Sequence, residues 1–167
     1  TRDAVMSIAS EQVRITDVGP RDGLQSQKTL VPVAGKLALI DALWASGISA
    51  IEATSFVSPK AVPQMADADE LMTAIVMPAG CRLSALVPNL RGLERAVLAG
   101  CREIAVVLSA TETMNQRNIR MGLDEAIATA RDTLREAQAQ GLATRAYIAV
   151  AFACPFDGNT PTERVHA

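Results

Sequence analysis

The chain has 167 residues, of which 49% are hydrophobic and 20% are charged, enough apolar material for one sizeable core. Its 16 basic and 18 acidic residues give a formal net charge of -2, so the chain lacks the basic field that a nucleic-acid backbone requires. The longest apolar run is about half of a membrane span, and the three cysteines have no zinc or redox spacing. We therefore expect a soluble cytoplasmic protein with neither nucleic acid nor membrane as a partner.

Strand-like and helix-like segments alternate along the chain. Residues 13–18 are short and β-branched and predict a first strand, and a helix with one apolar face begins after Pro32 and ends at Gly47. Further helices are predicted near residues 63–75, from Asn89 to Gly100, and in a long stretch that ends before Gly141. Four more strands precede or follow these helices, and they begin at Ile48, Arg82, Glu103 and Thr144.

This alternation indicates parallel strands that are joined by crossover helices. The fold class is therefore α/β, as an open doubly wound sheet or a (β/α)8 barrel. An open nucleotide-binding sheet would usually carry a glycine-rich phosphate loop after its first strand, and VGPRDGLQ has neither common form, which favours the barrel. A complete barrel typically needs about 250 residues. We therefore predict that residues 1–167 are the N-terminal portion, about five βα units, of a single barrel domain without a linker or second domain.

A candidate site lies in the turn GPRDG, directly after the first predicted strand. In (β/α)8 barrels the active site is built from loops at the C-terminal ends of the strands, and Arg21 and Asp22 lie at such an end. Asp22 offers the carboxylate oxygen that a hard divalent cation binds, and Arg21 offers a planar donor for a developing oxyanion. Gly-Pro and Asp-Gly are also ordinary turn dipeptides, so these residues alone leave a plain turn as the alternative.

Five longer motifs point to one family. They are VGPRDGLQ, IEATSFVSPKAVPQMAD, LVPNLRGLERAVLAG, SATETMNQRNI and CPFDG, each at or after one predicted strand. Together they resemble the 3-hydroxy-3-methylglutaryl-CoA lyases, within a larger group of metal-dependent lyases and acyl transferases that share a (β/α)8 barrel. The related isopropylmalate and citramalate synthases look more like RDGEQ at the first motif. Leu24 before Gln25 and the segment SFVSPK therefore favour the lyase.

The resemblance implies a reaction and a set of site residues. The reaction is the cleavage of 3-hydroxy-3-methylglutaryl-CoA to acetyl-CoA and acetoacetate, a step of leucine catabolism and ketone-body formation, in a homo-oligomer that binds acyl-CoA. Asp22 matches the aspartate that binds Mg2+ or Mn2+, and Arg21 matches the arginine that contacts the substrate carbonyl and supports enolate charge. Glu52, at the end of the second predicted strand, matches an active-site glutamate, and we expect it close to Arg21 and Asp22 because all three follow strand ends. Gln25 is a weaker candidate for substrate binding and for ordering the Arg21 loop. From sequence alone, Glu52 is equally a polar residue that pairs with an arginine.

The remaining functional residues of the family have no match in this chain. In the family, a His-x-His pair and an asparagine from later strands complete the metal site, and a cysteine in a late loop transfers a proton. The single histidine, His166, is expected to be solvated, and Cys154 to be a small buried residue. Arg145 and Tyr147 alternate along the fifth predicted strand, so they point either toward the substrate or into a structural layer.

Two expectations follow from the missing later strands. The chain is expected to be truncated and inactive alone, and its apolar inner face, with Ile15, Ile51 and Val106, is expected to be open to water. Two alternatives to the lyase stay open: a related acyl-CoA lyase or synthase of the same family, and a non-catalytic half-barrel binding module.

Overall fold

The computed structural model describes residues 13–166. Four strands form one parallel sheet in the order of the sequence, β1 (Ala50–Ser55), β2 (Arg82–Leu86), β3 (Glu103–Ser109) and β4 (Ala143–Ala149). Each strand therefore pairs with its predecessor, and the order never reverses as it does in an open doubly wound sheet. The predicted α/β class with parallel strands is confirmed.

The first of the five predicted strands is reduced to a single bridge. Asp17 pairs in parallel with Ile51, because the Asp17 amide donates to the Ala50 carbonyl at 2.9 Å and the Glu52 amide donates to the Asp17 carbonyl at 2.8 Å. The chain then leaves the sheet at once, since a π-helical turn, Gly19–Gly23, begins two residues later. The prediction of a full strand over residues 13–18 was wrong in extent, although the segment does run beside β1.

Helices connect the strands and cover one face of the sheet. The long helix predicted before Gly141 is present as one helix, Leu123–Ala139, and a further short helix, Glu112–Ile119, precedes it and ends at Arg120, whose φ of 58° is left-handed. A short antiparallel pair, β5 (Ala153–Cys154) and β6 (Gly158–Asn159), follows β4 and was not predicted. Within residues 13–166, no helix combines the length and the apolar character needed to cross a membrane. The helical elements are α1 (Val33–Ala45), a 3-10 turn (Pro63–Met65), α2 (Ala68–Ala74), α3 (Leu90–Leu98), α4 (Glu112–Ile119), α5 (Leu123–Ala139) and α6 (Thr162–His166).

The hydrophobic core lies between the sheet and its helices. Ile51 and Val106 are each only 1% exposed and belong to this core, together with Ile40 of α1 and Leu71 of α2. The expectation that Ile51 and Val106 line an open inner face was therefore wrong, because strand alternation turns them toward the helices. Ile15 is 69% exposed, as its position outside the sheet allows.

The opposite, inner face of the sheet is polar and charged. It carries side chains that alternate with the core residues along their strands, and the long ones reach one another across the sheet. Hydrogen bonds connect these side chains directly, as described below. The inner-face residues with such contacts are Glu52, Arg82, Glu103, Arg145 and Tyr147.

Candidate active site

The turn that carries Arg21 and Asp22 is fixed by the bridge that precedes it. The Val18 carbonyl accepts from the Arg21 amide at 3.1 Å and from the Asp22 amide at 2.7 Å. The Gly19 amide donates to Oδ1 of Asp17 at 2.8 Å, and a Cβ at Gly19 would lie only 2.9 Å from that oxygen. Glycine thus allows this close approach without a shift of the Asp17 side chain. Arg21 and Asp22 therefore lie directly after the bridge between Asp17 and β1.

The structure brings Arg21, Asp22 and Glu52 together. Nε of Arg21 donates to Oε1 of Glu52 at 2.6 Å, and its Nη1 donates to Oδ1 of Asp22 at 2.7 Å. The Glu52 side chain is fully buried, the Arg21 side chain is 14% exposed and the Asp22 side chain is 66% exposed. Glu52 lies within β1 and not at its end, so the expectation that all three residues follow strand ends was wrong for Glu52. The predicted proximity of the three residues is confirmed.

Tyr147 and Arg145 complete the environment of Glu52. The Tyr147 hydroxyl donates to Oε2 of Glu52 at 3.0 Å, and Nη1 of Arg145 donates to the Tyr147 hydroxyl oxygen at 3.1 Å. Burial, and next the neighbouring Glu52 carboxylate, raise the pKa of the Tyr147 phenol above its ordinary value, while the contact with Arg145 opposes this rise. Both residues point into the barrel, as their spacing of two along the fifth predicted strand allowed.

Three further residues weighed from the sequence, Gln25, His166 and Cys154, make no hydrogen bond to this cluster within residues 13–166. The side-chain oxygen Oε1 of Gln25 is buried and has no hydrogen-bond partner within residues 13–166, so it does not accept from Arg21. His166 is exposed on α6. Cys154 is buried and accepts a hydrogen bond from the Thr111 hydroxyl at 3.2 Å, in line with its predicted burial.

Asp22 fits the chemistry of one metal ligand. Its carboxylate lies at the end of the sheet where the site is expected, and an exposed oxygen is what a hard divalent cation binds. Across residues 13–166, however, no group of three or more His, Cys, Asp or Glu side chains is placed to hold a metal ion. The described part of the chain therefore offers one fitting ligand and does not form a complete metal centre.

Comparison with known proteins identifies the family. Residues 12–167 match the HMGL-like family model. The chain belongs to the HMGL-like family. It is 41% identical over 155 residues to the mitochondrial hydroxymethylglutaryl-CoA lyase of Bos taurus, and the matched region covers 93% of this chain and 48% of that relative. It is 42% identical over 155 residues to the cytoplasmic 3-hydroxy-3-methylglutaryl-CoA lyase of Rattus norvegicus, covering 93% of this chain and 45% of that protein.

A solved structure gives the same assignment. This HMG-CoA lyase, from Acinetobacter baumannii in complex with coenzyme A and 3-methylmalate, matches with a TM-score of 0.88 and 38% identity over 96% of this chain and 52% of the other. Together with the sequential parallel sheet, this likeness confirms the predicted class, part of a (β/α)8 barrel. The chain spans about half the length of the curated relatives that it matches. That residues 1–167 are the N-terminal portion of a single catalytic domain stays a prediction.

Proposed function

We propose that this chain contributes the Arg21 part of the active site to a hydroxymethylglutaryl-CoA lyase. The observation that carries the proposal is the Arg21 guanidinium, which a fully buried Glu52 holds at 2.6 Å beside an exposed Asp22. A guanidinium that is fixed before substrate arrives stabilises developing negative charge without reorganisation cost. The substrate class comes from the family and from the acyl-CoA lyases to which the chain is similar.

In the proposed reaction, a base removes the proton of the tertiary hydroxyl of 3-hydroxy-3-methylglutaryl-CoA. The oxygen electrons form the ketone of acetoacetate as the carbon-carbon bond breaks, and the electrons of that bond pass to the acetyl-CoA part as an enolate. Protonation of the enolate carbon gives acetyl-CoA. Arg21 would stabilise the enolate oxygen, since its Nη2 group has no acceptor among residues 13–166 while Nε and Nη1 are engaged. Glu52 accepts through both oxygens, which supports a role in holding Arg21 and not in proton transfer.

Asp22 is the proposed ligand for Mg2+ or Mn2+, with its remaining ligands supplied by other residues of the enzyme. Such an ion, when bound, polarises the oxygens that it holds. Gln25 is proposed to contact the substrate from the loop beyond Arg21. Asp22→Asn should raise the concentration of Mg2+ or Mn2+ needed for half-maximal binding, measured by calorimetry, because an amide oxygen carries no net charge.

The cellular setting is also part of the proposal. We propose an acyl-CoA substrate, a homo-oligomeric assembly and a cytoplasmic location, with the reaction serving leucine catabolism and ketone-body formation. Relatives are known as both mitochondrial and cytoplasmic enzymes, and the proposed cytoplasmic location follows from the cysteine usage of this sequence, which fits a reducing compartment.

The test is the substitution Arg21→Lys in the lyase that contains this chain. Lysine keeps the charge but loses the planar fork, so kcat should fall about 100-fold or more while KM changes little. Acetoacetate release from 3-hydroxy-3-methylglutaryl-CoA measures both constants. Arg91→Lys, on the exposed surface of α3, is the matched control and should leave both unchanged.

Two results would contradict the proposal. An unchanged kcat in Arg21→Lys would remove Arg21 from the mechanism. A parent enzyme that releases no acetoacetate but consumes acetyl-CoA in the presence of a 2-oxo acid would instead assign the chain to the related synthases.

A further inference from the structure

A continuous row of charged and hydroxyl side chains crosses the inner face of the sheet. Every neighbouring pair in this row is joined by at least one hydrogen bond, and positive and negative groups alternate, with Tyr147 between an arginine and a carboxylate. Three arginines and three carboxylates belong to it. In order, the row is Arg82, Glu103, Arg145, Tyr147, Glu52, Arg21 and Asp22.

The far end of the row fixes the guanidinium of Arg145. Its Nη2 donates to Oε1 of Glu103 at 2.6 Å, and Oε2 of Glu103 in turn accepts from Nε and Nη2 of Arg82 at 2.9 and 2.5 Å. Glu103 is 6% exposed, so little water competes for its oxygens. The Nη1 group of Arg145 is thereby aimed at Tyr147 and, at 3.3 Å, at the Thr16 hydroxyl.

The direction of the Tyr147 hydroxyl follows from what Arg145 is able to do. An arginine has donors and no acceptor, so the Tyr147 oxygen must accept in this contact. The single phenolic proton is then left to be donated to Oε2 of Glu52, at 3.0 Å. With Oε2 occupied, Oε1 of the fully buried Glu52 faces Nε of Arg21 at 2.6 Å.

We propose that Arg145 is a positioning residue for Arg21. Arg145 acts on Arg21 indirectly, through the Tyr147 hydroxyl and the Glu52 carboxylate. Loss of the Arg145 donor would free the Tyr147 hydroxyl to turn away, and Glu52 would lose one of the two contacts that fix its plane. Arg145 supports the same turn by a second route, because Thr16 immediately precedes Asp17, whose side chain caps the start of the Arg21 turn. The catalytic consequence rests on the proposed function, whereas the hydrogen-bond chain does not.

Tyr147 is the only tyrosine in the sequence, so its ionisation is observable in the intact chain by ultraviolet difference absorbance. Arg145→Gln should raise the pKa of Tyr147, because it removes a cation and a donor that favour the phenolate. Glu52→Gln should lower that pKa, because it removes the carboxylate that disfavours the phenolate. Arg82→Gln is the matched control: it also removes an arginine from Glu103 but does not contact Tyr147, so its change should be the smallest of the three.

Far-UV circular dichroism shows whether each variant is folded, and only folded variants are interpreted. If folded Arg145→Gln titrates with the parent midpoint, the proposal is overturned. If Arg145→Gln does not fold, Arg145→Lys decides, since lysine keeps the charge but not the fork that serves Glu103 and Tyr147 together. A higher Tyr147 pKa in Arg145→Lys supports the proposal, and an unchanged one overturns it.

A double-mutant cycle in the lyase tests the consequence for Arg21. Arg145→Gln should lower kcat about tenfold with KM nearly unchanged, the effect of one misdirected hydrogen bond. Tyr147→Phe should cost a similar factor, and Arg145→Gln should cost clearly less in that background than it does alone, because the Tyr147 contact is already lost and only the Thr16 contact remains to be removed. Additive losses would overturn the proposed route. A parent without lyase activity would refute the proposed function alone, because the tyrosine titration would still decide the hydrogen-bond chain.

Discussion

Glu52→Ala tests how much the buried carboxylate contributes to folding. The change removes the acceptor of both the Arg21 Nε and the Tyr147 hydroxyl. Because the Glu52 side chain is fully buried, water cannot replace it without entering the interior. Arg21 keeps Asp22 as a partner at 2.7 Å, but Asp22 is two-thirds exposed and compensates little.

The expected loss is about 3 kcal/mol in the free energy of unfolding, the low end of the range for removing one partner of a buried ion pair. The low end applies because the Arg21 side chain is 14% exposed, so water still reaches part of its charge. Glu52→Gln retains the shape and one acceptor oxygen and should cost about 1 to 2 kcal/mol. For a domain of ordinary stability, about 5–15 kcal/mol, the alanine variant loses a large share of the total.

Urea unfolding measures both losses, with fluorescence of the single tryptophan, Trp44, and circular dichroism as independent probes. The midpoint should fall while the slope stays constant. Glu94→Ala, on the exposed surface of α3, is the matched control and should have a small effect. A Glu52→Ala midpoint equal to that of the control would refute the claim that this carboxylate holds Arg21 in the folded chain.

Local patterns in the sequence were sufficient to predict most of the fold. The helix from Asn89 is an example: the Asn89 side chain accepts from the Gly92 amide at 3.0 Å as an N-cap, and Gly100, with a φ of 81°, follows its end. The segment 13–18 was harder, because its β-branched residues satisfy a strand pattern while only Asp17 pairs with a strand of the sheet. Strand formation depends on that partner and not on propensity alone.

The two faces of the sheet could not be assigned from the strand pattern. In β1, Ile51 and Glu52 alternate, and alternation alone does not say which one meets the helices. The choice is made by partners that are remote in sequence: Arg21 is 31 residues and Tyr147 is 95 residues from Glu52. A charged residue is stable inside the barrel only because those partners exist, so the inner face of the candidate site was visible only in three dimensions.

The small hairpin after β4 has a local signal in the sequence. Asp157 and Gly158 form a turn dipeptide, and Gly158 has a φ of 77°, which favours glycine. The proposed metal site is the opposite case. Asp22 was identified by resemblance and lies where expected, but side chains that would complete such a site are not contributed by residues 13–166, so no local pattern here was able to indicate them.

Three further predictions concern packing and ionisation. Gly92→Ala should lower the free energy of unfolding by about 2 kcal/mol, because a Cβ there would lie 2.8 Å from the Phe56 carbonyl oxygen. Gly23→Ala is the control, since a Cβ at Gly23 meets no atom within 4 Å and should change the stability little. Urea unfolding compares the two variants. A thiol reagent should modify Cys81, which is partly exposed, well before the buried Cys101, and mass spectrometry of the digested protein checks the order. The last prediction is a loss of stability at alkaline pH, since burial raises the pKa of Cys101 from 9.0 to about 11. Above pH 9 the unfolded thiol ionises while the native thiol keeps its proton, so this contribution is complete below pH 9 and is lost as the pH rises to about 11. Urea unfolding between these pH values should therefore show a steeper decline for the parent than for Cys101→Ala, in which Tyr147 still titrates; parallel declines would refute the assignment to Cys101.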